Sequence, residues 1–305
     1  MKYVKIILVN FIVIVLLSCF AEWICLYVLL FPTRHIYKIN PVTLSEIMLS
    51  GTYEDFYHRH AYRPIENKES KNKPVVFFGC SYAGGYGSIP ELKDDETISA
   101  FFARNLKEKR PVYNRGIGSQ SVQAAIWQLE EGGFLEEIKE PEFVIYIFIN
   151  DQIRRLYKEC SPCFKSPLYK KKGDSIKLIK NPFYYSYLMI LYRYKIQRKY
   201  YKVSKEENFD FLRRHFLYLK KLGDKKWKNT KWIILYYNDD GSIYPLEELE
   251  KDGFKVIKLT SLVSPEFFTD EKNRSGKDNP HPSKYAWETI GTALYDKLHE
   301  LYNLN

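Results

Sequence analysis

The chain is poor in cysteine, histidine and acidic residues, and each shortage removes a class of protein. Five cysteines supply a single CxxC, Cys160–Cys163, with no second pair to complete a zinc site. A thioredoxin-like centre is a poor fit as well, because "CSPC" does not open a helix after a core strand. The six histidines follow no zinc-finger spacing, and no RNA-recognition signature occurs. The 37 Asp and Glu fall short of the 47 Lys and Arg, leaving a net charge of +10. Such an excess can serve nucleic acid, an anionic membrane or an acidic polymer. Here the cations are spread among Tyr and Phe along the whole chain. We read a generic basic surface and expect no nucleic-acid partner. Internal repeats and low-complexity tracts are also missing. What remains is 305 residues, 45% apolar and 16% aromatic, enough for one large folded domain with an appendage.

The amino terminus is apolar. After "MKYVK", the 26 residues from Ile6 to Phe31 hold only Asn10, Ser18 and Glu22 as strongly polar positions. About 20 apolar residues span a bilayer as a helix, and a cleavable signal peptide has a shorter core and a small-residue exit. A span from about Val4 to Ile24 puts Glu22 near the far interface, with Trp23 and Tyr27 as anchors. The reading is one transmembrane helix within residues 1–31, a connector at 32–73 and an exported domain at 74–305. Lys2 and Lys5 favour the amino terminus inside, although Arg34, His35 and Lys38 follow closely. "LLSC" resembles a lipoprotein processing box, so lipidation of Cys19 is the alternative. The apolar "FAEWICLYVLLF" after it is unlike a lipoprotein's polar tether. In an exported domain Cys160 and Cys163 are expected to close a small disulfide loop, with two free thiols as the alternative.

From residue 74 onward, short apolar runs alternate with helical patterns. The runs are "PVVFFG" (74–79), "PVYNRGIG" (111–118), "EFVIYIFIND" (142–151), "KWIILYY" (231–237) and "FKVIKL" (254–259). Helical spacing appears in "ISAFFARNLKEK", "SVQAAIWQLEEGG", 208–223 and 283–302. Continuous apolar strands alternating with helices predict an α/β, three-layer sandwich around a mostly parallel five-stranded sheet. Ligand sites in such sheets form outside the carboxyl ends of the strands. Residues 152–207 break the rhythm. We expect an insertion there, with a hairpin turning at Gly173-Asp174 and a basic, tyrosine-rich helix at 184–201. It reads either as a lid over the sheet edge or as a surface elaboration.

Four strand ends carry chemistry-capable residues: "FGCSYAGG" with Ser81, "NRGIGSQS" with Gly118 and Ser119, "FIND" with Asn150, and "DNPHP" with Asp278 and His281. Ester cleavage needs that set. A serine hydroxyl is a weak nucleophile without an adjacent base. A histidine supplies the base, and a carboxylate orients it. The tetrahedral oxyanion needs fixed donors. Ser81, His281, Asp278 and Asn150 fill these roles, with backbone N–H groups at "GIGSQ". Bland roles are also open: Ser81 as a helix cap, Asn150 as a turn cap, Asp278 as an N-cap, and Asp151 as a structural group. His58, His60, Tyr82 and Tyr86 are candidates for the pocket wall.

These four blocks, in this order, resemble the SGNH/GDSL hydrolase superfamily. The match covers about residues 74–302 without the insertion. The resemblance implies Ser81 as nucleophile, His281 and Asp278 completing the triad, and an oxyanion hole of the Ser81 N–H, an N–H at Gly118–Ser119 and Asn150. It implies no metal or cofactor. The sequence departs from the pattern where Cys80 replaces the usual Asp, Ser119 the oxyanion glycine, and Phe148 the glycine of Gly-x-Asn-Asp. Preceded by an anchor, the domain resembles membrane-tethered proteins of bacterial envelopes, some of which transfer acetyl groups to exported polysaccharides. The expected substrate is an acyl or acetyl ester, with an envelope glycan as the expected carrier. Two rivals stand beside this reading: a binding or assembly protein that keeps the fold without the reaction, and a function centred on CSPC.

Overall fold

The computed structural model describes residues 10–21, 23–24, 63–85, 92–118, 120–157, 167–180, 204–237, 244–276 and 279–304. Its centre is a five-stranded sheet of β1 (Val75–Gly79), β2 (Val112–Asn114), β3 (Phe143–Ile149), β6 (Lys231–Tyr237) and β7 (Phe254–Lys258). The order is β2-β1-β3-β6-β7, and every pairing is parallel. All five apolar runs of the sequence are its strands. The hairpin is present as β4 (Tyr169–Lys172) and β5 (Ser175–Leu178), with Gly173 at its turn at φ 56°. Residues 158–166 and 181–203, which include Cys160, Cys163 and the tyrosine-rich stretch, lie outside the described residues.

Strand alternation divides the core in two. On β1, Val75 and Phe77 face one apolar cluster while Val76 and Phe78 face the other. β3 and β6 repeat this, with Ile145, Ile147 and Leu235 on the first face and Tyr146, Phe148 and Tyr236 on the second. A strand buried on both faces reads as a continuous apolar run, which is why these segments showed no polar alternation. The first face is covered by α2 (Ile98–Asn105) and α7 (Lys284–Tyr302). The second is covered by α3 (Val122–Glu130) and α6 (Lys205–Asp224).

The strand order places a switch point beside β1. The chain leaves β1 for β2 on one side, then returns past it to β3 on the other. In such sheets ligand sites form in the crevice outside the carboxyl ends of the strands that flank the switch point, here β1 and β3. Ser81 and Asn150 directly follow those two strands.

At the amino terminus, residues 10–21 are helical and their large apolar side chains are exposed, among them Phe11, Ile14, Leu16 and Leu17. Among the described residues, no helix is long and apolar enough to cross a membrane. Most of the expected anchor and connector lies outside the described residues.

Candidate active site

β1 ends at Gly79, whose φ is +148°. A Cβ there would lie 2.8 Å from the Ile147 carbonyl oxygen and 2.9 Å from Ala83 Cβ, so glycine is required. The chain then turns at once into α1 (Ser81–Gly84), a single turn closed by Ala83 and Gly84 N–H groups on the Cys80 carbonyl. This turn sets Ser81 at the crevice, where its side chain is almost covered, with 8% of its surface exposed.

The loop after β2 is fitted against that turn. Asn114 Nδ2 donates to the Ala83 carbonyl and to Ser99 Oγ, both at 2.8 Å. The Ile117 N–H donates to the Gly79 carbonyl at 3.0 Å. Gly116 sits so close that a Cβ would lie 2.5 Å from Ala83 Cβ and from the Gly84 nitrogen. Asn114 and Gly116 therefore brace the turn that carries Ser81. Gly118 follows in the loop, and Ser119 lies outside the described residues.

His281 comes from 200 residues further on. It lies on β9 (Asn279–Pro282), which pairs with β8 (Arg274–Gly276) in a short antiparallel ribbon. Ser283 then caps α7, accepting from the Ala286 N–H at 3.2 Å. Helix packing on the first sheet face thus fixes the ribbon. His281 Nε2 lies 2.9 Å from Ser81 Oγ. Its ring packs against Tyr82, with centroids 5.2 Å apart, and Tyr82 in turn meets Tyr237 and Trp287. Burial, and secondarily the Arg155 charge, push the His281 pKa down to about 4. The imidazole is therefore neutral near pH 7 and able to accept a proton. Asp278 lies outside the described residues.

Asn150 ends the strongest strand. Tyr236 OH donates to its Oδ1 at 2.6 Å, which fixes the amide orientation and turns Nδ2 the other way. Phe148, where the family pattern has glycine, is fully buried among Phe216 and Tyr236 on the second sheet face. That departure therefore adds bulk to the core and not to the crevice.

Two groups escaped the reading of the sequence. One is Tyr236, an unremarkable residue of an apolar strand. The other is Arg155, on α5 (Gln152–Leu156). Its Nε and Nη2 donate to Asp151 Oδ2 at 3.0 and 2.7 Å, and its Nη1 to the Gln120 carbonyl at 3.0 Å. Burial opposes the Arg155 charge, and the Asp151 carboxylate beside it pulls the other way, so that its pKa is raised overall. Burial likewise opposes ionisation of Asp151, and Arg155 and Arg154 overcome it. The Asp-x-x-x-Arg spacing in "DQIRR" was the available signal, an i,i+4 pair on a helix.

Among the described residues, no cluster of three His, Cys, Asp or Glu side chains is placed to hold a metal. A cavity of about 640 Å³ opens at the outer edge of β2, lined by Arg63, Lys68, Tyr113 and Arg115 among others. Neither Ser81 nor His281 lines it.

No protein-family model matches the chain, and no curated protein matches it by sequence. Several solved structures resemble it. A member of the lipolytic protein G-D-S-L family from Veillonella parvula shares 12% identity at a TM-score of 0.43, over 76% of this chain and 99% of that one. An acetyl xylan esterase from the rumen bacterium Butyrivibrio proteoclasticus shares 11% at 0.46, over 77% and 66% of the two chains. A two-domain esterase active on acetylated mannans shares 13% at 0.45, over 76% of this chain and half of that one. Identities and superpositions this low carry no conclusion about chemistry.

Proposed function

We propose that this chain is a serine ester hydrolase or acyltransferase of the SGNH type. The observation that carries the reading is the 2.9 Å approach of His281 Nε2 to Ser81 Oγ, made across 200 residues at the switch point of a parallel sheet. Ser81 Oγ attacks the ester carbonyl as His281 Nε2 takes its proton. The tetrahedral oxyanion is held by the Ser81 N–H, an N–H at Gly118–Ser119 and Asn150 Nδ2. Collapse returns the proton from His281 to the leaving alcohol and leaves an acyl-serine. Water then attacks in hydrolysis, or a sugar hydroxyl in transfer. Asp278 orients the imidazole in this scheme.

We place the domain outside the cytoplasmic membrane, tethered by the amino-terminal segment. The exposed apolar side chains of residues 10–21 support a lipid-facing helix, since such a surface is unfavourable in water. The net charge of +10 suits an anionic envelope glycan bearing acyl esters.

The test is incubation of the protein with p-nitrophenyl acetate and, separately, with a fluorophosphonate serine label. Turnover and labelling at Ser81 are expected. A folded protein inert to both supports the other reading, a binding protein of the same fold, for which Cys80 and Ser119 are the remaining departures. Added protease should digest the domain in intact spheroplasts; protection until lysis would reverse the orientation.

A further inference from the structure

The three loops that build the crevice follow β1, β2 and β3, and one side chain meets all three. Arg155 lies beside Cys80 after β1, donates to the Gln120 carbonyl after β2, and pairs with Asp151 after β3. It is rigidly placed: its side chain is 11% exposed, and Asp151 is itself held through its other oxygen by Arg154. Gln120 is buried, so its carbonyl has little access to water as a substitute partner. A neighbouring hydrogen bond fixes one end of the loop. Ile117 is tied to Gly79, and the Gln120 N–H closes a turn on the Ile117 carbonyl. Between those ties stand Gly118 and Ser119, where the backbone donor of the oxyanion hole is expected. Arg155 adds an anchor at Gln120.

We propose that Arg155, seated on Asp151, is a positioning residue that holds the Gln120 carbonyl and thereby aims the backbone of the loop at Gly118 towards the oxygen that becomes the oxyanion when Ser81 attacks. The residue type matters. A guanidinium meets a carboxylate through Nε and Nη2 while Nη1 points elsewhere in the same plane, and an ammonium cannot span both partners in fixed geometry. Nor is the half-buried pair there for stability in any simple sense. Desolvating a guanidinium and a carboxylate consumes most of what their attraction returns. What such a pair gives reliably is geometry, and this one is built at the rim where the oxyanion must be met. The inference rests on the ester-hydrolase reading and adds a residue to it.

The experiment compares wild type, Arg155→Met, Arg155→Lys and Asp151→Asn in the full chain. The readouts are kcat and KM on p-nitrophenyl acetate and the rate of fluorophosphonate labelling at Ser81. Because loss of alignment at a reacting centre costs up to about 10²-fold, Arg155→Met is expected to lower kcat and the labelling rate roughly 10- to 100-fold, with KM changed little. Arg155→Lys should recover only a minor part. Millimolar guanidinium ion should restore part of the Arg155→Met loss and leave wild type unaffected. Asp151→Asn keeps the guanidinium but loosens its seat, and should show a smaller fall with the same pattern. It serves as the deciding variant if Arg155→Met does not fold. A folded Arg155→Met with wild-type kcat and labelling rate, or an Asp151→Asn with neither reduced, overturns the role of Arg155 while the hydrolase reading stands. Wild type that is neither turned over nor labelled removes the hydrolase reading and this inference together.

Discussion

The two sides of Ser81 are built from different materials. In the proposed mechanism the base side belongs to the first sheet face: His281 leans on Tyr82, which is packed by Tyr237 and Trp287 beneath α7. The proposed oxyanion side belongs to the second face and is held by hydrogen bonds, Tyr236 to Asn150 and Arg155 to Asp151 and Gln120. The difference follows from what each side must do. A general base at neutral pH must stay unprotonated, and burial among rings achieves that by penalising the imidazolium. An oxyanion hole needs donors already pointed at the developing charge, and only directional bonds fix a donor's aim. Packing is non-directional and sets an environment; hydrogen bonds set an angle.

The largest effect should come from removing either half of the reacting pair. Ser81→Ala and His281→Ala should each lower kcat by about 10⁶-fold with the fold retained, because the two act as a unit. Circular dichroism and thermal melts check the fold, and ester turnover checks the rate. Full activity in Ser81→Ala would sink the serine mechanism. On the other side, Asn150→Ala should lower kcat by about 10²–10³-fold, the usual cost of one oxyanion donor. If Asn150→Ala instead raised KM with kcat unchanged, Asn150 would be a substrate-binding group and the division between the sides would be wrong.

How far the sequence showed this depends on which side is considered. The five strands were legible because Val75–Phe78, Phe143–Ile149 and Lys231–Tyr237 are apolar runs too short for helices. Ser81, His281 and Asn150 were legible because each stands at a strand end or before a helix, in block order. The supporting residues differ. Tyr236 and Tyr237 are neighbours in one strand and point to opposite faces, one to Asn150 and one to the rings around His281. Their roles depend on which neighbour β6 finds, and strand pairing is not written in β6 itself. Arg155 was hidden for a related reason. Its i,i+4 pairing with Asp151 is local, but its bond to Gln120 joins segments 35 residues apart. Phe148 is a different case: it departs from the motif, and period-2 alternation sends its ring into the core.

Tyr236→Phe sharpens the oxyanion side by deleting one oxygen from it. A neutral hydrogen bond is worth about 1 kcal/mol, so kcat should fall about fivefold with KM unchanged. In a double-mutant cycle the loss should vanish in the Asn150→Ala background, as expected for a hydroxyl that acts through that amide. Additive losses would mean that Tyr236 reaches the substrate by another route.

The smallest change in rate is expected where the base side is probed by pH alone. With its pKa pushed down to about 4, His281 should keep kcat/KM level from neutral pH to about pH 5, with the acid limb centred near 4. A limb near 6.5 would show that the rings do not keep the imidazole neutral. Stability must be separated from this, because a second histidine shares the behaviour. His215 is fully buried on α6, donates from Nδ1 to the Phe211 carbonyl at 2.7 Å, and is pushed by burial down to about 4. A folded-state pKa below the ordinary 6.5 means that the unfolded chain takes up the proton first. The contribution of neutral His215 to stability is then full above about pH 6.5 and lost as pH falls towards 4, by about 3 kcal/mol at roughly 1.4 kcal/mol per pH unit. His215→Gln should therefore flatten the fall of melting temperature between pH 6.5 and 4 and leave the acid limb of kcat/KM in place. If the limb moved with the melting curve, the loss of activity in acid would be unfolding from the α6 side, and the protonation of His281 would have no visible part in it.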